Sequence, residues 1–333
     1  MNYNIRLYEK GDEHQIVKLF KEVYGKDLTV EQWKWKYLGQ GNLRVWSVVA
    51  FNENDELIAH YGGIPVRMIF KGRHIIGCQC VDAMVKEGYR AKELGITQKE
   101  GVFYKISNLL YDTFGTFFYA FPGDVYYNWG RKVGHIEECL DVPEYRYHNP
   151  PSPPFSKGGM GGFERGGRRS IVERFYSLKP LQWDDKRIDD LWYRVKTKLG
   201  WTMVRDSEFI EWRYSTNPFY RHMIYGLKGL FSKRLLAWVV LREEGEDLLI
   251  LDLVFEDSFL EILLRKLINL GCAMGKKQLK IWLPDRYKVR LLSTGFEPFD
   301  IRTWMPNFIR FKVAEPEEIR QNLYYTMGDT DFL

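Results

Sequence analysis

The sequence has no apolar run long enough to cross a bilayer. Its longest strongly apolar stretch, residues 235–241, falls far short of the roughly 20 residues a membrane helix needs. A signal-peptide pattern is missing too, because the N-terminal MNYNIRLYEKGDEHQ is polar where an apolar core would stand, so a cytoplasmic protein with no membrane contact is expected. Cysteine is scarce. Cys78, Cys80, Cys139 and Cys272 have neither zinc-ligand spacing nor a disulfide framework, so free thiols and no metal are expected. Charge of one sign is nearly balanced: 49 basic against 44 acidic residues leave +5, interspersed, which excludes the footprint of a nucleic-acid binder. The six histidines form no cluster. Aromatic residues are plentiful at 16%, and most stand in apolar patterns that point to core packing.

At 333 residues the chain has room for two domains. Residues 149–170 (NPPSPPFSKGGMGGFERGGRRS) are crowded with proline and then glycine, which excludes a helix or a central strand and marks a spacer or surface insertion. The expected organisation is therefore a first domain over 1–147, a spacer over 148–171 and a second domain over 172–333.

The two flanks echo one another. Trp35-Lys36-Tyr37 is matched by Trp212-Arg213-Tyr214, and a strand holding Asp82 by one holding Asp252. A strand ending at Pro122 is matched by one ending at Pro284, and a turn at Gly134 by one at Gly295. Each half reads as an opening strand and helix, a meander of strands, a strand–loop–helix–strand unit, then a short helix and closing strands. In the first half, residues 52–55 signal a hairpin turn, and Ile16, Leu19, Phe20 and Val23 follow helical spacing behind Gly11-Asp12.

One difference separates the halves. Asp82 to Pro122 is 40 positions, whereas Asp252 to Pro284 is 32, and the excess falls between Tyr89 and Glu100. There an apolar strand (residues 80–85) leads through a polar loop to a helix opening near Gln98-Lys99-Glu100-Gly101-Val102-Phe103. A helix N-terminus leaves free N–H groups and roughly half a positive charge, which is an anion site. The second half instead sets Glu256, Asp257 and Glu261 at its helix start, and these acids would repel a diphosphate.

The Gln-x-x-Gly loop, the VDAMVKEGYR strand, FPGDVYYNWGRKVG and the WKY and WRY segments, taken in order, resemble the tandem-GNAT N-acetyltransferases, a loosely defined bacterial group. That resemblance covers nearly the whole chain outside the spacer. It implies an α/β (α+β) fold of two GNAT-like domains in tandem, each a mixed, mostly antiparallel sheet flanked by helices. Two central strands would splay to admit the pantetheine arm of acetyl-CoA, the co-substrate. The implied activity is acyl transfer, chiefly acetyl, to a primary amine of a small molecule or peptide.

By the same resemblance, amides from Lys99 to Phe103 (Lys99, Glu100, Gly101, Val102, Phe103), after Gln98, would hold the diphosphate. Lys99, Arg90 and Lys92 would add charge, and the backbone of Met84 and Val85 would pair with pantetheine. A second loop register over residues 90–95 puts Glu93 where the family has glycine. The family's tyrosine acid stands four residues before the final glycine, which is Gly130 here, so Tyr126 or Tyr127 is the candidate substitute. Asp82 is the candidate base. Two alternatives stay open: a Fem-type aminoacyl transferase drawing on charged tRNA, and a degenerate module that binds CoA or a partner without catalysis.

Overall fold

The computed structural model describes residues 3–38, 44–149 and 171–330. The spacer expected over 148–171 lies outside the described residues except at its ends. In the first half, β1 (Asn4–Leu7), β2 (Trp46–Phe51), β3 (Leu57–Phe70), β4 (Arg73–Val85) and β5 (Phe118–Tyr119) form one sheet in that order. All neighbours are antiparallel except β4 and β5, which run parallel. The turn expected at residues 52–55 is present: Asn52 Oδ1 accepts from the Asn54 and Glu56 amides, and Asp55 sits at φ 55°.

Alternation along β2 decides the layers. Val49 and Phe51 join the core beneath α1 (Glu13–Tyr24) and α2 (Val30–Leu38). Val48 and Ala50 join the opposite core beneath α3 (Val102–Phe114), whose buried stripe is Val102, Ile106 and Leu110. A fourth helix, α4 (Asp124–Val133), follows β5 and ends at Gly134 in the left-handed region, φ 77°.

The second half repeats the plan. Here β8 (Tyr176–Pro180), β10 (Met223–Gly229), β11 (Leu235–Glu244), β12 (Asp247–Phe255) and β13 (Gln278–Trp282) are neighbours in order, and β12 and β13 are the parallel pair. Its helices are α5 (Arg187–Val195), a single turn α6 (Ser207–Ile210) continuing into a π-helical turn over Glu211–Ser215, α7 (Leu260–Ala273) and α8 (Lys288–Ser293).

The halves exchange strands. From the first half, β7 (Glu144–His148) pairs with β13 and with β14 (Glu297–Phe299) of the second sheet. From the second half, β15 (Trp304–Phe308) pairs with β6 (Ile136–Asp141) and packs beside β5, while β9 (Thr202–Met203) pairs with β3. The last helix, α9 (Pro316–Asn322), packs on β6. The division expected at residue 147 therefore cuts through β7. Thus β13 takes its outer hydrogen-bonded neighbour from the other half, while β5 ends its sheet with β15 packed beside it.

The echoed motifs also meet. Trp35 Nε1 donates to the Trp212 carbonyl at 3.0 Å, and Trp212 Nε1 donates to the Trp35 carbonyl at 2.9 Å. This reciprocal pair places the two repeats about a local pseudo-twofold axis. Nearby, the Arg67 guanidinium grips Asp206 with two bonds at 2.9 and 2.8 Å, a second tie between the halves.

Candidate active site

Strands β4 and β5 pair only through Cys78–Phe118 and Gln79–Tyr119. Beyond that point they diverge, and a cavity of about 750 Å³ opens between them. Its floor is Ala83 and Val85 from β4, one end is Gly101, Val102 and Phe103 at the start of α3, and the far wall is Tyr126 and Trp129 from α4. The loop residues Arg90, Lys92 and Gln98 rim it. The strand split, the loop and the helix start expected from sequence thus surround one space.

The α3 N-terminus is uncapped. Its N-cap Gly101 has no side chain to offer, the first turn holds no acid, and among the described residues no acceptor meets the amides of Val102, Phe103 and Tyr104. The amides of Glu100 and Gly101 are not free, because they close turns onto the carbonyls of Thr97 and Gln98. The donors available to an anion therefore run from Val102 onward, slightly later than the Lys99–Phe103 expectation. Gly101 is small for a steric reason: a Cβ there would stand 3.0 Å from Ala91 Cβ, where loop and helix touch.

The two carboxylates of the loop are turned aside. Glu100 accepts from Thr97 N and Oγ1 at 2.9 and 2.7 Å, and those bonds lower its pKa. Glu93 accepts from the amides of Gly88 and Arg90 and lies 3.4 Å from Arg90 Nη1. Lys99 is exposed and is not part of the cavity wall, whereas Arg90 and Lys92 are. The Met84 side chain is fully buried on the opposite face of β4, so only Val85 of that expected pair presents its side chain to the cavity. Gln98 Oε1 accepts from Trp129 Nε1 at 3.0 Å, which ties the loop to α4.

Of the two tyrosine candidates, only Tyr126 reaches the cavity. Its hydroxyl lies 2.5 Å from that of Tyr61 and 3.0 Å from that of Tyr111, and those two are 3.1 Å apart. Burial raises the Tyr126 pKa above the ordinary tyrosine value, so the group stays protonated. Tyr127 is turned away and stacks on Trp304 of β15, with ring centroids 4.7 Å apart. At the family's usual tyrosine position a Cβ on Gly130 would stand 2.8 Å from Ile136 Cδ1, so any side chain there would require Ile136 to move. Tyr61, Tyr111 and Trp129 complete the site and carry no sequence signal, because each reads as an ordinary core aromatic.

Asp82 does not line the cavity. Lys36 Nζ donates to its two oxygens at 2.9 and 3.0 Å, and Tyr37 Oη donates at 2.7 Å. Burial alone would raise its pKa, but the Lys36 ammonium and the Tyr37 hydroxyl outweigh it and hold the carboxyl below the usual range. Asp82 stands at φ 47°, where β4 shifts register against β3. Its twin Asp252 sits at the matching shift between β11 and β12 and accepts from Arg205 Nε at 2.8 Å and Tyr214 Oη at 2.9 Å. Each repeat thus pins an aspartate at its bulge with a tyrosine and a buried cation.

In the second half the corresponding helix start is closed. Strand β12 ends at Phe255 and α7 begins at Leu260, with no long loop between them. Arg290 bridges Asp257 at 2.7 Å and Glu261 at 2.6 Å, and Arg194 and Arg234 hold Glu256.

A mostly antiparallel sheet with one parallel pair and flanking helices is the fold of the GNAT acyltransferases; here it occurs twice, and only the first copy leaves its helix start open beside the splayed strands. Residues 4–98 match the family model described as the acetyltransferase (GNAT) domain. A conserved protein of Enterococcus faecalis V583, described as a probable N-acyltransferase, superposes with a TM-score of 0.62 at 11% identity over 92% of this chain and 71% of its own. A GCN5-related N-acetyltransferase of Kribbella flavida gives 0.62 at 13% identity over 92% and 70%. Saccharomyces cerevisiae N-myristoyltransferase, solved with bound myristoyl-CoA and inhibitors, gives 0.54 at 11% identity over 99% and 86%. At such identities the likeness concerns the fold. A search of curated proteins finds no match. Among the described residues, no helix is long and apolar enough to cross a membrane.

Proposed function

We propose that this chain is an acyl-CoA-dependent N-acyltransferase that moves an acetyl group from acetyl-CoA to a primary amine. The supporting observation is the single cavity that runs from the unpaired amides at the start of α3 to the Tyr126 hydroxyl. Its chemistry matches the donor from end to end. The amides of Val102–Tyr104, with Arg90 and Lys92 beside them, suit a diphosphate, and the apolar floor of Ala83 and Val85 suits a pantetheine arm. Residues 81–85 have no strand partner on the β5 side among the described residues, although the Ala83 carbonyl accepts from Tyr24 Oη at 3.1 Å, a bond that a pantetheine amide would share or displace.

In this reading the amine nitrogen attacks the thioester carbonyl, the C–S bond breaks, and Tyr126 gives its proton to the leaving sulfur. Tyr61 and Tyr111 hold the Tyr126 hydroxyl in place and stabilise its conjugate base. Asp82 is a positioning residue that fixes the β4 bulge, and the amine loses its proton to solvent. The first half is the donor unit and the second half shapes the acceptor side.

Calorimetric titration with acetyl-CoA tests this directly. Saturable binding with one site per chain is expected, followed by free-thiol release over an amine panel. No heat of binding would refute the acyl-CoA reading in favour of a charged-tRNA donor, and binding without turnover would favour a binding module.

A further inference from the structure

A second cavity, of about 380 Å³, lies in the second half beside the parallel pair β12 and β13. A further space of about 390 Å³ is bordered by Gly123 and Asp124, which also border the α3 cavity, and by Ile301 and Thr303, which also border the second cavity. Each cavity thus shares wall residues with this intervening space.

The second cavity carries cationic groups that the protein leaves incompletely matched. Arg213 is 8% exposed, yet no carboxylate among the described residues pairs with it. Its guanidinium donates only to the carbonyls of Gly328 and Thr330. Arg242 stacks on Tyr220, 4.1 Å from the ring centroid, and gives Nη2 to Glu244 at 3.2 Å, while its Nε is buried with no acceptor. Buried cations and donors in this condition are costly unless a ligand completes them. His222 adds no charge: burial pushes its pKa down to about 4, and Nδ1 faces the Tyr214 carbonyl at 3.1 Å. Lys280 is already paired with Asp247.

We propose that this cavity is the acceptor site and that it selects amines bearing a carboxylate, of the free amino-acid class, by holding that carboxylate on Arg213 and Arg242. The inference rests on the acyltransferase reading above and adds the substrate class. The wall favours a monoanion over a phosphate dianion, because Glu144 and Glu244 also face the space. The volume suits a molecule of amino-acid size. With its carboxylate anchored there, the amine end of the acceptor points along Ile301 and Thr303 toward the thioester.

The test is calorimetry on the full chain saturated with CoA, titrated with free amino acids, their carboxamides and the corresponding decarboxylated amines. The acids are expected to bind about tenfold or more tightly than the amides, the effect of a charge-assisted contact. Arg242→Gln should shrink that preference to within about twofold, and Arg242→Lys should keep part of it, because the charge remains. Acetyl-CoA titration of the same proteins reads the donor site independently, so absence of the carboxylate preference from the unmodified protein with donor binding intact overturns this inference alone. Equal affinity for acids and amides, an undiminished preference in Arg242→Gln, or no binding by any panel member would each overturn it. The acid-to-amide comparison in the unmodified protein needs no variant to fold.

Discussion

Replacing Lys36 by methionine should cost stability rather than chemistry, and the structure sets the size of the loss. The Lys36 side chain is 2% exposed and that of Asp82 is 7% exposed, with Nζ 2.9 Å from the nearer oxygen. Removing the ammonium leaves a carboxylate buried with the Tyr37 hydroxyl and, among the described residues, no other lysine or arginine in an ion pair with it. Breaking a buried pair from one side typically costs about 3–5 kcal/mol. Asp82→Asn should cost a comparable amount, since it strands the ammonium instead. The double variant Lys36→Met/Asp82→Asn should recover about 2 kcal/mol of the summed loss, because neither uncompensated charge remains. Urea unfolding of the full chain, followed by tryptophan fluorescence with unchanged m-values, measures all four corners of the cycle. Acetyl-CoA affinity should hold in whichever variants stay folded. The reasoning fails if Lys36→Met loses less than about 1 kcal/mol, or if Asp82→Asn abolishes turnover with an unmoved unfolding midpoint. The latter result would make Asp82 the base after all.

Tyr126→Phe should lower kcat about 100-fold or more while leaving acetyl-CoA affinity within about twofold, as expected when a general acid is removed. Tyr127→Phe should do neither, because its ring faces Trp304; equal effects of the two variants would remove the acid role from Tyr126. Gly62→Ala should destabilise the chain by about 1–3 kcal/mol, since the added Cβ would stand 2.1 Å from Tyr37 Oη and displace the donor from Asp82. Thermal melting that differs by less than a degree from the unmodified protein would contradict that packing. His60 is fully buried, and desolvation pushes its pKa down to about 4. Its neutral form therefore contributes stability that is present above the unfolded value of about 6.5 and is lost as pH falls toward 4. Between pH 7 and pH 5 the loss from His60 is about 2 kcal/mol, so His60→Asn should flatten the acid limb of a stability–pH curve; an identical slope would show that His60 does not titrate in this way.

Much of the candidate site was legible before any coordinates. The excess between Tyr89 and Glu100 located the loop, and the glycine at 101 located the helix start, because turn chemistry and helix boundaries are set by residues adjacent in the chain. The echo of Trp35-Lys36-Tyr37 in Trp212-Arg213-Tyr214 announced the repeat, although not that the two tryptophans bond to each other's main chain. Side-chain direction was less accessible. Tyr126 and Tyr127 are neighbours on one helix, yet one faces the cavity and the other faces β15, a distinction that depends on where α4 docks. Asp82 looked available for catalysis because Lys36, its partner, is 46 positions away.

The amino-acid order by itself determined the two repeats and the half whose helix start is left free of acids. Those features follow from hydrogen-bond periodicity, glycine and proline geometry and the charges flanking a helix end, all of them local. Tertiary structure alone decided that β7 and β15 change places, that three tyrosine hydroxyls converge, and that both cavities share wall residues with one intervening space. Each of these depends on which unpaired strand edge meets which neighbour, and that choice is made only when both halves bury their surfaces together.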